Sequence, residues 1–156
     1  MTSVLLFCLL LGVLSGLRSL TPIALVSLVA HLGWLNLAGS PLAFLASPIA
    51  VGIFTLLAIG ELIGDKTAKI GPRTAPGPFA FRIITGSLCG AALAFATHAG
   101  MTIAIIAGAI GAIAGTLAGF RIRRALTAPG KLPDLPVALV EDIIAIGGSL
   151  FLVTRF

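Results

Sequence analysis

Long apolar segments alternate with short polar stretches along the whole chain. Six apolar segments can be delimited, at residues 2–16, 23–35, 41–63, 79–98, 101–120 and 136–154. They are rich in Leu, Ala and Gly and lack the apolar–polar alternation of a half-buried strand, so the pattern predicts helices. Because about 20 helical residues cross the roughly 30 Å core of a bilayer, the longer segments are long enough to span a membrane. The pattern predicts an all-α integral membrane protein with six hydrophobic helical segments.

Composition supports this prediction. Of the 156 residues, 58% are hydrophobic and only 10% are charged, and the mean hydropathy is +1.18. A soluble domain of this size needs more polar surface than these residues provide. We therefore expect a single transmembrane domain over residues 1–156, with the lipid bilayer as its solvent.

A short motif recurs where pairs of apolar segments meet. Residues 12–18 read GVLSGLR, residues 60–66 read GELIGDK and residues 115–121 read GTLAGFR, and a Thr and a Pro follow each of them. This recurrence favours an internal duplication into three hairpin-like repeats. The approximate bounds of these hairpins are 2–35, 41–98 and 101–155. The first two segments provide only about 22 Å of helix each, so one or both could be re-entrant.

The formal net charge of +5 comes from ten Lys and Arg residues against five Asp and Glu residues. The basic residues lie mainly in the stretches between segments, without the aromatic and basic platform that would indicate nucleic acid as a partner. They fit the positive-inside rule instead. If all six segments cross, Arg18 and the loops 66–73 and 121–131 share one face, which we expect to be cytoplasmic. The predicted location is the inner membrane of a bacterium, with several passes.

Glycine pairs at four-residue spacing occur in several segments, and such small residues let helix backbones approach closely in a membrane. The glycines predicted to pack against other helices are Gly12, Gly16, Gly60, Gly64, Gly86, Gly90, Gly111, Gly115 and Gly119. An alternative interpretation is that they let a substrate or an ion approach the backbone. The same glycine faces could also join two copies of the chain in a homodimer.

Two carboxylates lie close together at the end of the third segment. Glu61 and Asp65 are four residues apart, so on a helix they share one face. A carboxylate inside hydrocarbon costs about 3 kcal/mol, so Glu61 should face protein or a water-filled cavity. The pair could coordinate a hard divalent cation or relay a proton. Alternatively, Asp65 pairs with Lys69, and the Glu61 side chain extends towards the interface.

A second acidic pair, Glu141 and Asp142, falls in the second turn of the last segment, where the helix dipole favours negative charge. Adjacent residues point about 100° apart on a helix, so at most one of the pair is expected to face the site that Glu61 faces. We expect this residue to be Glu141, with Arg18 and Arg82 as candidate partners, in a network that is either an ion site or a structural clasp. The candidate ion-binding set is Glu61, Asp65, Glu141, Asp142, Arg18 and Arg82, and the candidate metal ligands are Glu61, Asp65 and Glu141.

Enzymatic activity is not indicated. The sequence has no Ser/His/Asp grouping, dinucleotide fingerprint or P-loop, and no cofactor is expected. Cys8 and Cys89 lie inside apolar segments without Cys-x-x-Cys or metal-like spacing, so we interpret both as small packing residues.

Three stretches carry a family resemblance: GLRSLTP at 16–22, ELIGDK and RTAPGP within 61–78, and LPDLPVALVEDIIAIGG at 132–148. In these stretches the chain resembles a bacterial membrane family known as domain of unknown function 4126, which implies no particular activity. Residues 61–67 are also similar to the Glu-x-Gly-Asp-(Lys/Arg)-(Thr/Ser) motif of manganese and calcium exchangers that use protons. That similarity implies cation exchange, although one extra residue separates Glu61 from Gly64 here.

Two functional hypotheses result. The first is a transporter or channel for a divalent metal or a proton-coupled cation, with the acidic cluster near the cytoplasmic side. The second is a membrane protein without transport activity, which binds lipid headgroups or a protein partner through its basic loops at about 1 kcal/mol per basic residue. Replacing Glu61 by Gln should abolish transport, whereas neutralising Arg121, Arg123 and Arg124 should abolish binding.

Overall fold

A computed structural model describes residues 2–66, 74–129 and 132–155. Six α-helices occupy this described part of the chain, and no strand occurs in it. The helices are α1 (Thr2–Leu17), α2 (Thr21–His31), α3 (Pro48–Gly64), α4 (Pro76–Ala96), α5 (Met101–Leu126) and α6 (Asp134–Val153). One turn of 3₁₀ helix at Ala43–Ala46 precedes α3. The predicted all-helical architecture is confirmed over these residues.

Helix length divides the described helices into two groups. By length and composition, α4, α5 and α6 are long and apolar enough to cross a membrane. The remaining three are shorter apolar helices, and α2, with its 11 residues, extends only about 16 Å. The first two helices are therefore short, as the sequence indicates, and a re-entrant arrangement of this pair stays a prediction.

Two helix boundaries differ most from the sequence prediction. The segment 41–63 becomes α-helical only at Pro48, because Ser47 caps α3 by accepting a backbone hydrogen bond and Pro48 suits the first turn. At the other boundary, α5 continues to Leu126, whereas we expected a loop from Arg121 onward. Arg, Ala and Leu are good helix formers, and the helix dipole favours basic side chains in the last turn.

Helix α1 packs mainly against α4 and α5, and α2 packs against α3 and α6. Helices α4 and α5 form an antiparallel hairpin joined by residues 97–100. Three consecutive hairpins would instead pair α3 with α4 and α5 with α6. The packing of the described residues does not follow that arrangement, and the threefold repeat stays a prediction.

Glycines allow α1, α4 and α5 to touch through their backbones. A Cβ atom on Gly12 would collide with the backbone oxygen of Gly108, and a Cβ atom on Gly16 would collide with that of Ala112. The other glycines crowded in this way by a neighbouring helix are Gly86, Gly90, Gly108, Gly111 and Gly115. Because no side chain separates the backbones, the three helices fix each other's positions closely.

Gly60 was expected to pack in the same way, and that expectation is wrong within this chain. A Cβ atom on Gly60 would meet nothing within 4 Å, because α3 packs on α2 and the 3₁₀ turn through another face. Gly64 is half-buried and Gly119 is buried. The two buried cysteines, Cys8 and Cys89, lie in the hydrophobic core.

Candidate functional site

All five carboxylates of the chain lie at one end of the bundle, around the break between α1 and α2 at residues 18–20. Among the described residues, they contact four basic side chains, which lie on α4 and α5, at the α1–α2 break and just after α3. We refer to this group as the charged cluster, and its members are Arg18, Glu61, Asp65, Lys66, Arg82, Arg123, Asp134, Glu141 and Asp142. The structure thus brings every predicted ion-site residue to the same end of the molecule.

Glu61 of α3 holds the start of α2. Its Oε1 accepts hydrogen bonds from Ser19 N (2.8 Å) and Ser19 Oγ (2.6 Å), and its Oε2 accepts one from Leu20 N (2.8 Å). Backbone N–H groups at a helix start lack partners within the helix, and the helix dipole favours a negative charge there. Glu61 therefore acts as an N-terminal cap for α2, supplied by another helix.

Arg82 of α4 holds the end of α1. Its Nη1 donates hydrogen bonds to Gly16 O (2.6 Å) and Leu17 O (3.0 Å), carbonyl groups that a helix leaves unpaired at its C-terminus. Its Nη2 lies 3.8 Å from Glu61 Oε1, so the two residues that brace the break also pair with each other. We expected Glu141 as the counter-charge of Arg82. The structure places Arg82 on Glu61 because α4 packs beside the end of α1.

Arg18 is fully buried, with a side-chain exposure of 0%. Its Nη2 lies 2.8 Å from Asp65 Oδ2, 2.6 Å from Asp142 Oδ1 and 3.9 Å from Glu141 Oε2. These contacts are ion pairs without hydrogen-bond alignment, and Nε and Nη1 also have no hydrogen-bond partner among the described residues. Burying a guanidinium costs several kcal/mol, which the three carboxylates around Nη2 offset.

Arg123 of α5 joins the same carboxylates to the start of α6. Its Nε and Nη2 donate to Asp134 Oδ1 (2.8 Å) and Oδ2 (2.6 Å), a bidentate pair. Its Nη1 contacts Asp65 Oδ2 and lies 3.5 Å from Glu141 Oε2. Sequence reasoning missed this role of Arg123 because it assigned the residue to a loop. A helical continuation past Thr116 would have placed Arg123 on a buried face, two turns further along.

Lys66 closes the charged cluster at the end of α3. Its Nζ donates to Asp142 Oδ2 (2.6 Å) and to the α3 carbonyl of Leu62 (2.9 Å). Asp142 consequently lies between Lys66 on one side and Arg18 on the other. The alternative pairing of Asp65 with Lys69 involves a residue outside the described part of the chain.

Glu141 and Asp142 both face the charged cluster, although we expected at most one of them to do so. Both are buried, and both lie within 4 Å of Arg18 Nη2. The guanidinium of Arg18 lies between the Glu141 and Asp142 side chains, and the longer Glu141 side chain also contacts Arg123. The prediction failed because it considered only the directions in which the two side chains leave α6. It did not consider that a long partner side chain can contact both.

The predicted metal ligands are not assembled as a set. Glu61 contacts the start of α2, whereas Asp65 and Glu141 contact Arg18 and Arg123. Within residues 2–66, 74–129 and 132–155, no three His, Cys, Asp or Glu side chains are grouped so that they could hold a metal ion. The arrangement can pair charges and exchange protons. Every carboxylate contacts a cationic side chain, and protonation of the carboxylate would weaken that contact.

A groove of about 390 Å³ reaches the charged cluster between α5 and α6. Arg123 and Glu141 line this groove, and its other lining residues are apolar, Ile122, Val140 and Ile144 among them. The groove therefore gives the buried charges an approach from the outside of the bundle.

Over the part of the chain that the structure describes, the fold and the site define a class: a small all-helical protein with three candidate membrane spans and a buried charged cluster at one end. Within that class, the chain belongs to the family described as domain of unknown function (DUF4126), whose model matches residues 5–155. No curated protein and no solved structure matches the chain. The family resemblance seen in the sequence is confirmed, and the similarity to the exchanger motif stays a prediction.

Proposed function

We propose that this protein is a multi-pass protein of the bacterial inner membrane that transports a proton or a proton-coupled cation, with the charged cluster as its site. Three helices of sufficient length and hydropathy support the membrane location. The concentration of basic residues at the cluster end supports an orientation with that end in the cytoplasm.

Arg18 is the observation that carries the assignment of the site. A structural clasp would be expected to use the hydrogen-bonding capacity of its buried guanidinium, because an unmade buried bond costs about 1–3 kcal/mol. Nε and Nη1 of Arg18 make no such bond to a described residue, so they suit water or a transported solute. Ionisable groups that face the interior of a membrane bundle are typical of proton and ion pathways.

A proton suits the charged cluster better than a metal ion does. A divalent cation needs several oxygen ligands directed at one point. Four of the carboxylates are directed at arginine and lysine side chains instead, and Glu61 is directed at the start of α2. A proton needs only one carboxylate. Protonation of Asp142 would weaken its contacts with Arg18 and Lys66 together, which links proton binding to the ion pairs that join α6 to the residues just after α1 and α3.

The break between α1 and α2 gives this change a structural consequence. Interrupted helices whose ends point into a site are typical of secondary transporters. Here Arg18 lies at the end of α1, and Glu61 and Arg82 fix the flanking backbone groups. Because Arg18 lies between the two helices, a change in the charge around it would shift α1 relative to α2.

The test is proton flux into proteoliposomes that contain a trapped pH-sensitive dye, driven by an imposed pH gradient and a potassium diffusion potential. Wild-type protein should give saturable flux, and Asp142→Asn should reduce it at least tenfold because an amide cannot take up the proton. Arg155→Gln is the control: it removes an exposed charge that lies outside the charged cluster, so the flux should remain at the wild-type level.

Parallel traces with Mn²⁺, Mg²⁺ and Ca²⁺ gradients show whether a metal is co-transported. If Asp142→Asn does not purify as a folded protein, Glu141→Gln replaces it, because Glu141 lies further from Arg18. Wild-type traces that equal those of empty liposomes for protons and all three metals would refute transport, and the cluster would then be a structural clasp.

A further inference from the structure

Three arginines lie close together at the end of α5, but only one of them enters the charged cluster. Arg123 pairs with Asp65 and Asp134. Arg121 and Arg124 are exposed, and neither has an ion pair or a hydrogen bond to any described residue. Since all five carboxylates already belong to the charged cluster, this outer face of α5 carries two cations without a counter-charge.

A shallow hollow of about 560 Å³ lies beside these two arginines. Its lining residues are Thr74, Leu117, Phe120, Arg121, Arg124 and Ala125. Thr74 lies two residues before α4, whose N-terminus is near the end of α5 because the two helices are antiparallel. The positive end of the α4 dipole therefore adds to the charge of the arginines.

An exposed apolar stripe leads along α5 to the same hollow. Ile106, Ile110, Ile113 and Leu117 are spaced four, three and four residues apart, so they lie on one helix face, and all are exposed. The stripe ends where Arg121 and Arg124 begin. A ligand with a long apolar chain and an anionic head matches both parts of this surface.

We propose that this surface binds an anionic phospholipid, with its phosphate between Arg121 and Arg124 and an acyl chain along the stripe. Arginine binds phosphate oxygens in a bidentate manner, and the Thr74 hydroxyl can donate to a third oxygen. A free phosphate would leave the apolar stripe uncovered, which is why the geometry favours a lipid. Lipid binding here is independent of transport, because none of these residues belongs to the charged cluster.

The test uses full-length protein in a neutral detergent and measures lipid binding by native mass spectrometry. Dioleoylphosphatidylglycerol should bind at least tenfold more tightly than dioleoylphosphatidylcholine. The variant Arg121→Gln/Arg124→Gln should lose about fivefold in affinity for each arginine, and so about 25-fold in all. Arg155→Gln is the matched control, because it removes an exposed charge from the opposite end, where Arg155 stacks on Phe151.

Three results would overturn the proposal. The double glutamine variant could bind phosphatidylglycerol as wild type does, or phosphatidylcholine could bind equally well. Millimolar inorganic phosphate could displace the bound lipid, which would make the site one for a free anion. A variant with Lys at both positions keeps the charge and should retain affinity within about fivefold, which separates loss of charge from a folding defect.

Discussion

At the scale of single residues, Glu61 and Arg82 both bind backbone groups, one on each side of the α1–α2 break. Glu61 accepts hydrogen bonds from the backbone before α2, and Arg82 donates to the last carbonyls of α1. Each charged group thus satisfies backbone groups that a helix end leaves unpaired in an apolar bundle. Both residues were predicted to bind an ion, which stays a prediction, and their contacts add a role at the helix ends.

Replacing Glu61 by Ala should therefore destabilise the protein by about 3 kcal/mol. The substitution leaves the N–H groups of Ser19 and Leu20 without their acceptor and removes a counter-charge of Arg82. The measurement is reversible unfolding in mixed micelles. Asp134→Ala serves as the control and should cost less than about 1 kcal/mol, because Asp134 is largely exposed. Equal losses for the two variants would contradict the capping role.

The sequence could identify most members of the charged cluster, but not Arg123. Arg18, Asp65, Glu141 and Asp142 were named from spacing and composition, and the structure places each of the three carboxylates within 4 Å of Arg18 Nη2. Arg123 was missed, since its inclusion depends on one and a half further turns of α5. The reach of a long side chain depends on where its helix ends, and that boundary is the weakest part of a prediction from sequence.

At the scale of helices, the packing of α1 against α4 and α5 depends on glycine. The four-residue spacing correctly pointed to Gly12, Gly16, Gly111 and Gly115 as positions where another backbone is close. The same spacing at Gly60 was misleading. Glycine spacing shows that a helix face lacks side chains, but it does not show whether another helix packs against that face. Only the tertiary arrangement supplies that second condition.

Gly12→Ala and Gly60→Ala form a matched pair that tests this distinction. The methyl group at position 12 would overlap the backbone of Gly108, so we expect destabilisation of about 1–3 kcal/mol or more. At position 60 the methyl group meets nothing within 4 Å, and the higher helix propensity of Ala should stabilise α3 by up to about 1 kcal/mol. Thermal unfolding of both variants in the same detergent provides the measurement, and destabilisation of similar size at both positions would reject the assigned packing.

At the scale of the whole molecule, charge is distributed unevenly between the two ends of the bundle. Among the described Lys and Arg residues, only Arg155 lies at the end away from the charged cluster. The order of apolar segments and this asymmetry were readable from the sequence. The contacts between helices were not, because several arrangements of six apolar segments bury similar surface in lipid, where helix association depends on local packing.

Orientation can be tested with single cysteines and a maleimide reagent that does not cross membranes. The native Cys8 and Cys89 are both buried, so the wild-type protein should remain unlabelled. Ala38→Cys, between α2 and α3, and Gly100→Cys, between α4 and α5, are at exposed positions. If α3 and α4 both cross and the cluster end is cytoplasmic, both variants should react in intact spheroplasts.

Pro129→Cys, between α5 and α6, should react only after the spheroplasts are lysed, because positive-inside orientation places the charged cluster and the loop beside it in the cytoplasm. The reverse pattern, with Pro129→Cys labelled first, would show that the basic end faces outward and would remove the basis for a cytoplasmic proton site. Labelling of Ala38→Cys together with Pro129→Cys would show that α3, at 17 residues, does not cross. The buried carboxylates of α3 and α6 would then be reached from one side of the membrane, which favours a structural clasp over a transport pathway.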